Sequence, residues 1–142
     1  MTTDQRDVIR TILAETRRIA VVGASEDPAR PSHGLVRRLL DVGYAITPVN
    51  PNASHIHGLD VHPSLADVGG PVDLVDVFRA PQHAPDAARQ AVEAGAKALW
   101  LQQGVRSDEA RAIAEDAGLL YVEDACLATE VARAEIPLPP PA

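Results

Sequence analysis

The chain has a single cysteine, Cys126, in 142 residues. That excludes an internal disulfide framework and the cysteine-rich zinc sites, and it is expected of a protein kept in a reducing, cytoplasmic compartment. Aromatic residues are scarce, at 3%. The core must therefore be filled by Val, Ile, Leu and Ala, the composition of parallel sheets covered by Ala-rich helices. Lys occurs once against twelve Arg, and the net charge is −7. Such a balance lacks the broad basic face that general nucleic-acid binding needs. No apolar run reaches membrane-spanning length, and the opening MTTDQRDVIR is charged, with no apolar stretch of the signal-peptide kind. Neither nucleic acid nor membrane is an expected partner. Homodimerisation and a further protein partner are left open.

What the chain does have is the stretch IAVVGASEDPARPSHG, residues 19 to 34. Ile19 to Gly23 reads as a buried parallel strand, and a helical pattern begins near Ser32. The intervening loop of about eight residues is longer than the usual strand-to-helix connection, and such length marks a binding loop. Gly23 and Ala24 leave the backbone bare at the strand tip, Ser25 adds a hydroxyl, and the following helix offers free N–H groups and the positive end of its dipole. Charge agrees with an anionic ligand here. Residues 17 to 38 carry five arginines (17, 18, 30, 37 and 38) against Glu26 and Asp27, whereas residues 39 to 76 carry five Asp and no Lys or Arg.

The remaining pattern alternates strand and helix. A helix over 4–16 opens with a Thr2-to-Gln5 capping-box pattern. The helix from Ser32 stops at Gly43, and strand two is Ala45 to Val49, closed by Pro48-Val49-Asn50-Pro51. Residues 53 to 70 are mixed, with an extended excursion at Ile56, Leu59 and Val61. Strand three is Val72 to Phe78, an Ala-rich helix follows the turn bounded by Pro81 and Pro85, and strand four is Ala96 to Leu101. Ser107 caps a helix that Gly118 closes; strand five is Leu119 to Val122, and a last helix starts near Asp124. Residues 1–136 are expected to form one domain, and 137–142 a Pro-rich tail in extended polyproline form. The alternation implies an α/β domain with a mainly parallel five-stranded sheet and helices on both faces. Its ligand should sit outside the carboxyl ends of the strands, where the strand order reverses.

A nicotinamide dinucleotide fits poorly. The turn reads G-A-S-E-D-P in place of G-x-G-x-x-G, and strand two ends in Val49-Asn50-Pro51 with no acid for the ribose. A P-loop is also absent. In order and spacing, VVGAS (21–25), RPSHG (30–34), PVNP (48–51), VDVFR (75–79) and LWLQQGV (99–105) resemble the small stand-alone CoA-binding domain proteins. Those are similar in turn to the N-terminal CoA-binding domain of the succinyl-CoA synthetase alpha subunit. The resemblance runs from about Arg17 to Arg133 and implies a single Rossmann-like three-layer domain holding coenzyme A or an acyl-CoA. By that analogy Gly23, Ala24 and Ser25 meet the diphosphate, and Arg30, Ser32, His33 and Gly34 line the same loop. Asn50 and Pro51 bound the adenosine side, and Phe78, Arg79, Gln102 and Gly104 border the pantetheine path. Two positions depart from the family pattern: Asn52 stands where a Lys is common, and Ala125 where a basic residue precedes the cysteine. Arg30, Arg37 and Arg38 are the candidates to compensate.

Other residues carry weaker readings. His55, His57 and His62 lie close together but lack a Cys or acidic ligand at metal spacing. His33 reads as a phosphate contact or a helix cap, and His83 has no assigned role. Cys126 reads first as a small buried hydrophobe and second as a reactive thiol. No Ser-His-Asp order, paired carboxylates or nucleophile elbow is visible. The expected function is a non-catalytic coenzyme A binding or regulatory module; the alternatives are a component of an acyl-CoA synthetase-like enzyme acting with a partner and, less favoured, a nicotinamide-linked oxidoreductase.

Overall fold

Alternate residues of each strand go to opposite faces of the sheet, and this two-residue period sorts the apolar side chains into two cores. In the computed structural model, which describes residues 3–134, the strands are β1 (Arg18–Val22), β2 (Ala45–Val49), β3 (His55–Ile56), β4 (Leu59–Asp60), β5 (Leu74–Val77), β6 (Ala98–Leu101) and β7 (Leu120–Val122). The helices are α1 (Thr3–Glu15), α2 (Pro31–Val42), α3 (Ala84–Glu93), α4 (Asp108–Asp116) and α5 (Leu127–Ala134). Ile19 and Val21 of β1, Leu74 of β5 and Trp100 of β6 pack under α1, α2 and α5, with Ile12, Leu39 and Leu127 facing them. Ala20, Val22, Val75, Val77, Leu99 and Leu101 point the other way, against the alanines of α3 and α4. Fully burying each Val, Leu or Ile contributes about 1.5–3 kcal/mol, so the small helix residues matter chiefly by letting α3 and α4 approach closely.

The main sheet runs β2-β1-β5-β6-β7 with every neighbouring pair parallel. The chain steps outward from β1 to β2 and then returns to β5 on the other side of β1. The crossovers therefore diverge between β1 and β5, opening a crevice at their carboxyl ends. β2, which contains Pro48, is the edge strand, where a proline is tolerated. The extended excursion is a two-stranded antiparallel hairpin, β3–β4, turned at His57 and Gly58, both with positive φ.

Two expectations change. The last helix does not begin near Asp124: that residue has φ 54, its carboxylate accepts from Gly104 N–H at 2.7 Å and from Arg106 at 2.7 Å, and α5 starts three residues later. An Asp that braces a turn from the left-handed region is no helix N-terminus. Strands three and four also begin two residues later than expected, at Leu74 and Ala98. Before them, Asp73 Oδ2 accepts from the N–H groups of Arg17 and Arg18, and Lys97 and Ala98 N–H donate to Asp73 O, so this aspartate ties the lower ends of three strands together. Gln5 joins α1 to β7 by a two-way bond with the backbone of Glu123. The Thr2 side of the capping box and the polyproline reading of residues 137–142 lie outside the described residues.

Candidate functional site

The carboxyl ends of β1, β2, β5 and β6 enclose a cleft of about 620 Å³. The first loop contributes Gly23, Ser25, Arg30 and Ser32, the turn after β2 contributes Asn50, the turn after β5 contributes Phe78 and Arg79, and the segment after β6 contributes Gln102. These come from four separate stretches of sequence, brought together because parallel strands end at one level. Pro31, Ala80, Gln103, Val105 and Cys126 complete the lining.

Five expected residues stand outside that lining. Ala24 is fully buried below it, and its carbonyl accepts from Asn50 Nδ2 at 2.7 Å, so Asn50 both faces the cleft and holds the loop. His33 packs its ring against that of His57, tilted by 41° with centroids 4.1 Å apart, and His57 Nε2 donates to His33 O at 2.7 Å; the histidine pair fastens α2 to the β3–β4 hairpin. Gly34 lies on α2 with open space where a Cβ would be. Pro51 is exposed beyond Asn50. Gly104, at φ 88, gives its N–H to Asp124.

The role of Gly23 differs from the expected one. A Cβ built there would fall on the carbonyl of Phe78, well inside contact distance, and 3.0 Å from its carbon, with φ at 86. The missing side chain makes room for the β5 turn. The amide of Gly23 is bonded to Val49 O, that of Ser25 to Ser32 Oγ, and those of Asp27, Ala29, Arg30 and His33 to other atoms of the same loop. The bare-nitrogen cradle is thus smaller than the sequence suggests. Ala24, Glu26 and Ser32 keep N–H groups without an acceptor among the described residues. Gly23→Ala is expected to lower unfolding stability by about 3 kcal/mol, combining left-handed strain with displacement of a packed carbonyl. Urea denaturation measures this; a loss below about 1 kcal/mol contradicts the close approach.

The electrostatics of the cleft are one-sided. Among the described residues, no Asp or Glu lines it. The side chains of Arg30 and Arg79 are exposed there and form no ion pair or hydrogen bond among the described residues. Arg37, by contrast, is held by Asp41 at 2.7 Å, and Arg38 lines a groove between α2 and α5, so neither is part of the cleft lining. Asn52 donates its N–H to Asn50 Oδ1 at 2.8 Å. The acid nearest in sequence is turned away: Glu26 Oε1 accepts from the N–H groups of His55 and Ser54, which hold its carboxyl below the usual range. Helix α2 begins at Pro31 with no side-chain cap and no acid in its first turn. Its positive end and the Ser32 N–H are consequently open to an anion.

Under the cleft lies a feature absent from the sequence reading. Asp76, in the middle of β5, is fully buried; Gln102 Nε2 donates to its Oδ1, and its Oδ2 has no partner. Burial lifts this carboxyl to about 7 against the lowering effect of the Gln102 bond. One polar residue inside V-D-V-F is the only trace of it in the sequence. Cys126 is half-buried, packing against the core on one side and lining the cleft wall on the other. Trp100 is a core residue whose indole N–H donates to Ala125 O at 2.9 Å.

Comparison with known proteins gives four results. A family model described as CoA binding domain matches residues 17–132. The chain is 38% identical over 119 residues to the uncharacterized protein YneT of Bacillus subtilis, covering 84% of this chain and 88% of that one. It is 30% identical over 99 residues to acetate–CoA ligase [ADP-forming] II of Archaeoglobus fulgidus, spanning 68% of this chain and 15% of the ligase. Among solved structures, a hypothetical protein from Pyrococcus horikoshii superimposes with a TM-score of 0.87 at 35% identity, covering 94% of this chain and 92% of that one. No helix among the described residues is long and apolar enough to cross a membrane.

Proposed function

Because the chain belongs to the CoA-binding domain family, we propose that it binds coenzyme A or an acyl-CoA in the cleft between β1 and β5, as a binding or regulatory module without chemistry of its own. One observation carries this reading most: a cleft at the reversal of strand order that, among the described residues, has no acidic side chain in its wall, two unpaired arginines and an uncapped helix start. In a chain of net charge −7 that combination favours a ligand with several negative charges. In the proposal the diphosphate lies against Ser25, Ser32 and Arg30, at the N-terminus of α2. The adenosine end follows Asn50 and Pro51, and the pantetheine arm runs past Phe78, Arg79 and Gln102. Gly23, Ala24, His33, Gly34 and Gly104 set the frame that these contacts hang from.

The test is thermal shift followed by calorimetric titration. Coenzyme A and acetyl-CoA are expected to stabilise the protein in proportion to the logarithm of their concentration, reaching about 2.7 kcal/mol at a hundred times Kd. NAD and ATP are expected to give little. Stabilisation by NAD alone, or by none of the four, contradicts the proposal.

The likeness to the ligase supports a second reading, in which the domain works with a separate catalytic partner. Incubation of the isolated chain with labelled ATP and acetate or succinate should leave it unlabelled. Label on a histidine would move the protein from binding module to enzyme component.

A further inference from the structure

Asp76 is costly where it stands. The remainder of β5 is Leu74, Val75 and Val77, the register partners of Asp76 are Val21 and Trp100, and the Trp100 indole N–H is already given to Ala125 O. An apolar side chain would spare the desolvation of a buried carboxyl. Among the described residues the Asp76 carboxylate is bonded to Gln102 alone, and Gln102 is on the cleft wall. The Gln102 amide is therefore divided: Nε2 is held from below by Asp76 Oδ1, while Oε1 has no partner among the described residues and is not among their buried unpaired atoms.

We propose that Asp76 is a positioning residue for the ligand site, fixing the Gln102 amide so that its Oε1 faces the cleft as an acceptor for N–H or S–H groups on the ligand's pantetheine arm. This rests on the coenzyme A reading and adds to it the way the non-nucleotide end is read. An ionised Asp76 can only accept, so it takes the NH2 group and leaves the carbonyl outward. A protonated Asp76 can donate its O–H to the carbonyl of a flipped amide, which turns the NH2 group outward. Protonation thus exchanges an acceptor for a donor on the wall.

Few other groups act on this carboxyl. At the cleft the ionisable side chains are Arg30, Arg79 and Cys126, all partly or fully exposed. On α2, His33 is packed against His57, and Arg37, Arg38 and Asp41 are exposed. The described charged side chains of α1 are exposed, and on α5 the buried Glu130 faces Arg133 at 3.6 Å. Burial and the Gln102 bond alone set the Asp76 carboxyl near 7.

The experiment titrates the full chain with two probes: coenzyme A, and adenosine 3′-phosphate 5′-diphosphate esterified at its terminal phosphate with methanol, which carries the same nucleotide charges as coenzyme A without the arm. Asp76→Leu and Gln102→Ala are each expected to weaken coenzyme A binding about fivefold, the worth of one hydrogen bond, with the armless probe unchanged and the double variant no weaker than either single one. In the parent, preference for coenzyme A over the armless probe should rise as pH passes from about 6 to about 8, and Asp76→Leu should abolish that rise. Asp76→Asn, nearly isosteric, guards against a folding failure of the leucine variant; it too should give a pH-independent preference. A preference equal to the parent's at every pH in both Asp76 variants overturns this inference alone. Binding of neither probe by the parent overturns the coenzyme A reading and this inference with it.

Discussion

Reversing both cleft cations, Arg30→Glu with Arg79→Glu, is expected to weaken coenzyme A binding by at least about 100-fold. A hydrogen bond to a charged group is worth about 1.5–3 kcal/mol, so removing two such contacts gives about 3–6 kcal/mol before repulsion is counted. Each glutamate adds that repulsion against a ligand already carrying phosphates. The fold should scarcely notice, because both side chains are exposed and unpaired; surface changes of this kind stay within about 0.5 kcal/mol each. A loss of affinity without a loss of Tm is the signature of a contact residue. Arg37→Glu is the internal control. Its guanidinium is committed to Asp41 on the outer side of α2, so that variant should alter affinity about twofold or less through long-range charge alone. Affinity falling equally in all three substitutions would show a diffuse field in place of a built site.

The second large effect concerns stability. Asp76→Asn is expected to gain on the parent by about 3 kcal/mol between pH 4.5 and pH 8, as followed by urea unfolding at each pH. The folded-state value of this carboxyl lies near 7, above its ordinary 3.8. The folded protein therefore holds a proton that the unfolded chain releases between those values. Stability from this group is intact below about pH 4, is lost steadily as pH rises through that window, and is constant again above about pH 7. The Asn side chain does not ionise, so its curve lacks the slope. At pH 8 the gain corresponds to a Tm higher by on the order of 10 °C. Parallel curves for parent and variant would mean that Asp76 ionises freely, despite its burial. This measurement bears on the role proposed for Gln102, because that role requires the buried Asp76 carboxyl to titrate apart from solvent.

Much of the architecture follows from the sequence by simple physics. The alternation of strand and helix patterns gave five parallel strands, because runs such as IAVV, DLVDV and ALWL are too apolar for any strand with a wet face. Parallel strands in turn put all the candidate loops at one end, and Gly23, Ser25, Arg30, Ser32, Asn50, Phe78, Arg79 and Gln102 indeed meet there. What could not be read is what depends on approach between distant segments. The reason for Gly23 is the carbonyl of Phe78, far along the chain. Asp124 looks like a helix cap, yet its carboxylate bridges to Gly104 and Arg106. His33 faces α2's start in sequence, but the β3–β4 hairpin reaches over to pack His57 against it. Asp76 carries no local pattern at all, and only its burial beside Gln102 gives it meaning.

Crystals grown with coenzyme A test the central claim most directly. The diphosphate is expected at the N-terminus of α2, within hydrogen-bonding distance of Ser32 N–H and of the Arg30 or Arg79 guanidinium, with the pantetheine arm passing Gln102. A ligand seated elsewhere, such as the groove between α2 and α5, or a cleft still empty at saturating coenzyme A, would contradict it.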